Sequence, residues 1–263
     1  MLRYKEKEDI EARYSQVDAA VDTWRTRSRE VPDAVRREFA ARLRISLIYH
    51  DAALEGDVLT HSEIKAAIDP TIISDTSLIP AYDQIKAFNA ACELGAEIAH
   101  GKKKVKLDTL KELVDCLNTK DPSQAQYRKD NPLHRLYYHE ISPPEKIAYR
   151  MRKLGEWIDD KSTSSMHPVE RTARMHFKLM QVFPWAKLTG KAARILANAV
   201  LGQANYPIAV IHSIDRQRYY EALKSENDDI VLLYLEAVET TAVSEVSVYD
   251  EALRGAPRKR RRA

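Results

Sequence analysis

The sequence predicts an all-α protein with one small β-hairpin. Three observations lead there. Apolar residues recur at helical spacing through most of the 263 residues. Turn signals such as Val31-Pro32-Asp33, Glu55-Gly56-Asp57 and Asn118 to Ser123 separate those runs. Only residues 124–144, QAQYRKDNPLHRLYYHEISPP, depart from the pattern. Two short extended pieces flank Asn131-Pro132 there, and the Pro-rich, aromatic-rich composition suggests a hairpin or an irregular loop. No internal repeat, low-complexity segment or clear linker divides the chain.

Taken in order, residues 1–30 are highly charged, lack Gly and Pro, and read as a partly exposed helix. Asp33 is placed to cap the next helix, in which Val35, Phe39, Leu43 and Leu47 share a face and which should end near Tyr49. Thr60-x-x-Glu63 is a capping box that opens a further helix. Residues 70–80 read as a loop closed by Pro80. Ala81 to Ala99 is a helix with Ile85, Phe88, Cys92 and Leu94 near one face, ended by His100-Gly101. Leu107 to Leu117 follows, with Asp108 as its candidate cap. After the irregular stretch, Pro144 suits a first helical turn ahead of Ile147, Met151, Leu154 and Ile158. Asp159 to Ser165 is a polar loop, and His167-Pro168 starts another helix. The last helix should run from Asp229 to about Val243. The tail Arg258-Lys259-Arg260-Arg261-Arg262 follows Gly255 and Pro257 and reads as disordered, with nucleic acid or another anionic surface as its candidate contact.

Composition excludes several classes. No apolar run approaches the ~18 residues of a membrane span, and MLRYKEKEDIEARY is no signal peptide. A cytoplasmic protein without a membrane contact is expected. Cys92 and Cys116 fit neither a disulfide framework nor a metal spacing and read as buried free thiols.

The most informative stretch is Arg174 to Asn198, RMHFKLMQVFPWAKLTGKAARILAN. A helix leads into a loop built on Phe183-Pro184-Trp185, and a second helix begins near Gly190. Such a helix start points unpaired N–H groups and the positive end of its dipole at the loop. Lys187, Lys191 and Arg194 add positive charge, so the residues describe an anion site. The stretch resembles, without gaps, the Fic (Fido) domain signature His-Pro-Phe-x-(Asp/Glu)-Gly-Asn-Gly-(Arg/Lys)-x-x-Arg. Pro184, Gly190, Lys191 and Arg194 match it. Phe183 stands at the catalytic His, Trp185 at the Phe, Lys187 at the metal-binding acid, and Leu188-Thr189 at Gly-Asn.

Two further segments carry the resemblance. Glu55, Gly56, Leu59, Thr60 and Glu63 match an upstream element of many Fic proteins, with Asp51 where Ser or Thr is usual. The resemblance implies that Glu55 is inhibitory and pairs with Arg194. Tyr127-Arg128 and Pro143-Pro144-Glu145 are similar to the ends of the Fic flap, a hairpin whose edge holds the target as an added strand. It implies that Tyr127, Arg128, Leu136, Tyr137 and Tyr138 contact a protein target. His176, two turns before Phe183, reads as a packed helix residue. Further matches at Tyr206-Pro207 and at Asp215 to Leu223 extend the likeness over roughly residues 45–240. The domain expectation is a helical extension at 1–45, a Fic-like domain at 46–245 and a basic, disordered tail at 246–263. The resemblance also points to a bacterial source.

In the family the His is a general base, the acid holds Mg²⁺, and AMP passes from ATP to a hydroxyl. Phe183 has no lone pair and cannot accept a proton. Lys187 repels Mg²⁺ but can place its own charge on a phosphate. Leu188 removes a backbone-flexible Gly and can fill the phosphate cradle. The leading reading is therefore a catalytically degenerate AMP-transferase, with no metal, no cofactor beyond weak nucleotide binding, and a protein or nucleotide partner. Its nucleotide or anion residues would be Lys187, Gly190, Lys191 and Arg194. One alternative is a rewired nucleotidyl or phosphoryl transferase, with His134, His139 or Glu140 as its base. The other is a nucleic-acid-associated helical module that uses the basic tail.

Overall fold

In this computed structural model the described residues are 7–69, 71–72, 81–101, 104–119, 121–132 and 139–255. Among them all regular structure is helical. The α-helices are α1 (Lys7–Glu30), α2 (Asp33–Glu55), α3 (His61–Ile68), α4 (Tyr82–His100), α5 (Leu107–Leu117), α6 (Ile147–Asp159), α7 (Lys161–Ser164), α8 (Pro168–Val182), α9 (Thr189–Gln203), α10 (Arg216–Ala222) and α11 (Asp229–Gly255). Single 3₁₀ turns cover Pro122–Ala125, Pro144–Lys146 and Ser213–Asp215. No described helix is long and apolar enough to cross a membrane.

Helix α9 is the axis of the bundle. Its run Ala192 to Leu201 has almost no polar face, and every residue in it is buried. A helix that is apolar all round has to be enclosed, and α4, α5 and α8 enclose it. Helix α8 buries Val169, Ala173, Phe177 and Met180 along one stripe and aims its C-terminus at the start of α9. Helix α1 lies along α11, burying Val17 and Val21 and linking Arg13 to Glu239 and Trp24 to Glu245 at 2.7 Å each.

Several sequence expectations need correction. Helix α2 does not end near Tyr49 but runs to Glu55, because Leu47, Ile48, Ala52 and Leu54 continue its buried stripe. It therefore runs through residue 45, where the Fic-like domain was expected to begin. Its N-cap is Pro32, with Asp33 already helical. Helix α5 starts from Lys106, whose N–H is taken by the Thr109 hydroxyl, not from Asp108. Helix α11 continues past Val243 to Gly255, since Phe39 of α2 packs edge-on against Tyr249 and, from α1, Arg27 pairs with Asp250 and Trp24 reaches Glu245. Residues 246–255 are thus packed helix; the basic tail at 258–262 lies outside the described residues. The polar loop after α6 holds the short α7. Cys92 is buried and Cys116 half-buried, and both are free thiols.

The expected hairpin is not seen: among the described residues there is no strand. Among the described residues, main-chain N–H groups on both legs of 124–144 go to the C-terminal end of α8 and the loop after it. The Arg128 N–H donates to Pro184 O and the Ser142 N–H to Gln181 O, each at 2.9 Å. Residues 133–138, with Leu136, Tyr137 and Tyr138, lie outside the described residues.

Gly56 closes α2 with φ 94° and donates its N–H to Ala53 O, while Asp57 N–H reaches Ala52 O. A Cβ at Gly56 would meet nothing within 4 Å, so only the backbone conformation demands glycine. Gly56→Ala should cost about 1 kcal/mol in urea unfolding, and Gly56→Asn less, since Asn tolerates this conformation.

Candidate functional site

The site forms where the C-terminus of α2 meets the N-terminus of α9. Asp51 and Glu55 are four residues apart on α2, so they share one face. Both reach Arg194, one turn into α9. Asp51 Oδ1 accepts a short hydrogen bond from Arg194 Nε, and Glu55 Oε1 accepts from Nη2 at 2.8 Å. Nη1 lies 3.2 Å from the Tyr219 hydroxyl. All three charges are buried, with side-chain exposures of 6 % for Arg194, 1 % for Asp51 and 8 % for Glu55. Burial works against the charge on Arg194, but the Asp51 carboxylate more than offsets it and holds the guanidinium above its ordinary pKa.

Glu55 also covers the helix start. A Cβ built on Gly190 would fall 2.1 Å from Glu55 Oε1. The carboxylate thus rests on the first turn of α9, where a glycine alone leaves room. Glu55 stands at the negative end of its own helix and at the positive end of α9, so the second dipole and Arg194 compensate for the first. The neighbouring cations are engaged too. Lys191 pairs with Asp57 at 3.4 Å. Lys187 is exposed, and its charge helps hold the Asp121 carboxyl below its ordinary range, behind the Ser123 hydrogen bonds. Lys191 and Arg194 face Asp51, Glu55 and Asp57, so two cations meet three carboxylates.

The loop between α8 and α9 is closed by its own residues. Phe183 ends α8 in the left-handed conformation, φ 48° and ψ 60°, and is fully buried. Its ring meets that of His139 edge-on at 6.3 Å. His139 is buried, with Nε2 3.0 Å from Met180 O. Thr189 Oγ1 accepts from Trp185 N at 2.9 Å and donates to Trp185 O at 2.6 Å. Leu188 is buried inside that turn. Arg128 clamps the loop from outside, donating from Nε to Phe183 O and from Nη1 to Asn131 Oδ1 at 2.7 Å each, and from Nη2 to Ser142 O. It lies at the C-terminal end of α8, whose carbonyls attract a cation.

Known proteins share this fold. Residues 104–201 match the family model described as Fic/DOC family. The chain carries a Fic/DOC domain. A protein adenylyltransferase Fic of Drosophila virilis is 27% identical over 187 residues, 69% of this chain and 37% of that protein. The chain thus spans little more than a third of such curated relatives. The fold resembles a Fic-domain signalling protein from Bacteroides thetaiotaomicron (TM-score 0.74, 18% identity, covering 92% of this chain and 97% of that one). It also resembles Fic-1 from C. elegans (TM-score 0.74, 20% identity, covering 92% and 73%).

The structure joins Gly190 and Arg194, inside the matched segment, to Glu55 outside it, the pairing the resemblance implied. It keeps Lys187 and Lys191 on outer acids instead of on Arg194's pocket. Arg128, expected to contact a target, instead spends its donors inside the chain. Tyr127 is half-buried, its ring centroid 5.8 Å from that of Trp185. His176 is buried with Nε2 2.9 Å from the Tyr219 hydroxyl, which also meets Arg194. Sequence reasoning missed Asp51 as a partner of Arg194. The signal was its i,i+4 spacing from Glu55, hidden by ending the helix at Tyr49.

Two outcomes test this geometry. Gly190→Ala should cost about 1–3 kcal/mol by overpacking against Glu55, and most of that should vanish in a Glu55→Ala background, measured as a double-mutant cycle. The second concerns pH. Burial lowers the pKa of His50 to about 4, with the charges of His212 and His61 adding to it, and that of His176 to about 3, with Arg194 adding to it. Both native values lie below the unfolded ~6.5, so unfolding takes up protons. Their stability contribution is full above pH ~6.5 and should fall as pH drops through 4 toward 3. His176→Gln should flatten the profile of unfolding free energy against pH.

Proposed function

We propose that this chain is a Fic domain that binds a partner and does not transfer AMP. The observation that carries the reading is Glu55, whose carboxylate rests on Gly190 and holds Arg194. The position an incoming phosphate would need is taken by an acid of the chain itself. Phe183 offers no proton acceptor, and among the described residues no nearby side chain replaces it at pH 7. His139 is the nearest imidazole to that ring, but it is buried and bonded to Met180 O, so it does not favour a rewired transferase.

A nucleoside triphosphate with its magnesium does not fit the residues present. The surplus of carboxylates around Arg194 repels polyphosphate. Lys187 points its ammonium to the exterior, where a metal-binding acid would be needed. The cavity that reaches Lys191 measures about 150 Å³ and is lined by Asp51 and Asp57, small against the ~300 Å³ or more of ordinary ligand pockets. Nucleotide binding is therefore weak. The curated relatives are named protein adenylyltransferases, and this chain keeps their frame without the groups the transfer needs. The partner is a protein that meets the face around Tyr127 and the residues that follow it.

The test is self-labelling and target labelling with radiolabelled ATP, GTP, UTP and CTP, with and without Mg²⁺, for the wild type and for Glu55→Gly. Neither protein should incorporate label. Incorporation by either would sink the reading. Restoring Phe183→His, Lys187→Asp, Leu188→Gly and Thr189→Asn together should raise labelling at least ~10²-fold, the usual worth of a general base, in a protein that also carries Glu55→Gly and Asp51→Ser, so that neither carboxylate holds Arg194.

A further inference from the structure

Arg194 is held twice, and the two holds use different atoms. Glu55 takes Nη2, while Asp51 takes Nε. Tyr219 meets Nη1. Deleting Glu55 therefore removes one of three contacts and leaves the others in place. We propose that Asp51 is a positioning residue that locks Arg194 independently of Glu55, so that loss of Glu55 alone does not open the site to phosphate. The inference rests on the reading of Glu55 and Arg194 as a closed anion site, and it adds a second lock to it.

The physical argument is one of charge. With Glu55 gone, Arg194 and Asp51 still form a buried neutral pair, 6 % and 1 % exposed in their side chains. A phosphate arriving at Gly190 meets the helix dipole and the Nη2 that Glu55 had held, but on a guanidinium whose charge Asp51 still neutralises. It must either share Arg194 with a carboxylate already bonded to Nε or displace it. Displacement would leave Asp51 charged and buried without a cation, which typically costs several kcal/mol. Its other oxygen, Oδ2, already has no hydrogen-bond partner among the described residues, so nothing else among them would take up its charge. A Ser at this position has no charge to satisfy and leaves Arg194 free to turn. Asp51 is thus more than a substitute for a short polar residue. It doubles the closure, and a regulator that lifts only Glu55 would not complete the opening.

The experiment reads Arg194 directly and does not depend on catalysis. In ¹⁵N-labelled full chain, Nε–H of Arg194, assigned by its loss in Arg194→Lys, should be a downfield, slowly exchanging signal. It should persist in Glu55→Gly and in Glu55→Gln. It should disappear or exchange at least ~10-fold faster in Asp51→Ser and in Asp51→Asn, which is the near-isosteric control for folding. Tripolyphosphate binding, measured by calorimetry at low salt, should change less than twofold in Glu55→Gly and rise more than tenfold in Asp51→Ser/Glu55→Gly. Loss of the Nε–H signal in Glu55→Gly, or equal affinity for tripolyphosphate in the single and double variants, overturns the proposal. Label transfer by Asp51→Ser/Glu55→Gly but not by Glu55→Gly would overturn the proposed function and leave the Asp51 proposal standing, whereas transfer by Glu55→Gly would overturn both.

Discussion

The guanidinium of Arg194 is the constraint on which the rest of the site depends. It is a buried cation at the start of the most enclosed helix, and such a charge persists only where acids and hydrogen bonds surround it. Asp51, Glu55 and Tyr219 supply them from α2 and α10. Each of those elements is thereby fixed to α9. The reach of α2 to residue 55 follows: the helix must continue far enough to deliver both carboxylates. Gly56 can turn the chain only after that.

A second arginine does a matching task at the other end of the loop. Arg128 gathers Phe183 O, Asn131 Oδ1 and Ser142 O, and its own N–H takes Pro184 O. Arg194 thus organises the positive end of α9, and Arg128 the negative end of α8. Between them the loop has little freedom left, and Thr189 and Leu188 fill what remains. The side chains that line this loop serve to hold its backbone. A loop can be kept for its shape when two flanking cations and an apolar core need it.

Much of this was legible in the sequence. The spacing of Ile85, Phe88 and Cys92, the Thr60–Glu63 capping box and the His167-Pro168 start each describe one local structure, and local rules suffice for those. The motif residues pointed to an anion site because a helix N-terminus next to Arg194 is visible in one dimension. What was not legible depends on partners distant in sequence. Lys191 looked like a phosphate ligand until Asp57 was placed beside it. Arg128 looked like a surface contact until the carbonyls of Phe183 and Ser142 surrounded it. Residues 124–144 had the turn and aromatic content of a hairpin, but the N–H groups of Arg128 and Ser142 found acceptors in Pro184 and Gln181. Helix α11 looked finished at Val243 because Glu245, Tyr249 and Asp250, which hold it beyond that point, take their partners from the distant α1 and α2.

The left-handed backbone at residue 183 carries a consequence for substitution there. A bulky side chain in this conformation bears roughly 1–2 kcal/mol of steric cost that a His or an Asn bears less of. Phe183 accepts it because its carbonyl and that of Pro184 are both committed to Arg128. The main chain is therefore held in this conformation by its hydrogen bonds, against the preference of the side chain it carries. A His or an Asn substituted here would lower that backbone cost and give up the burial of the ring.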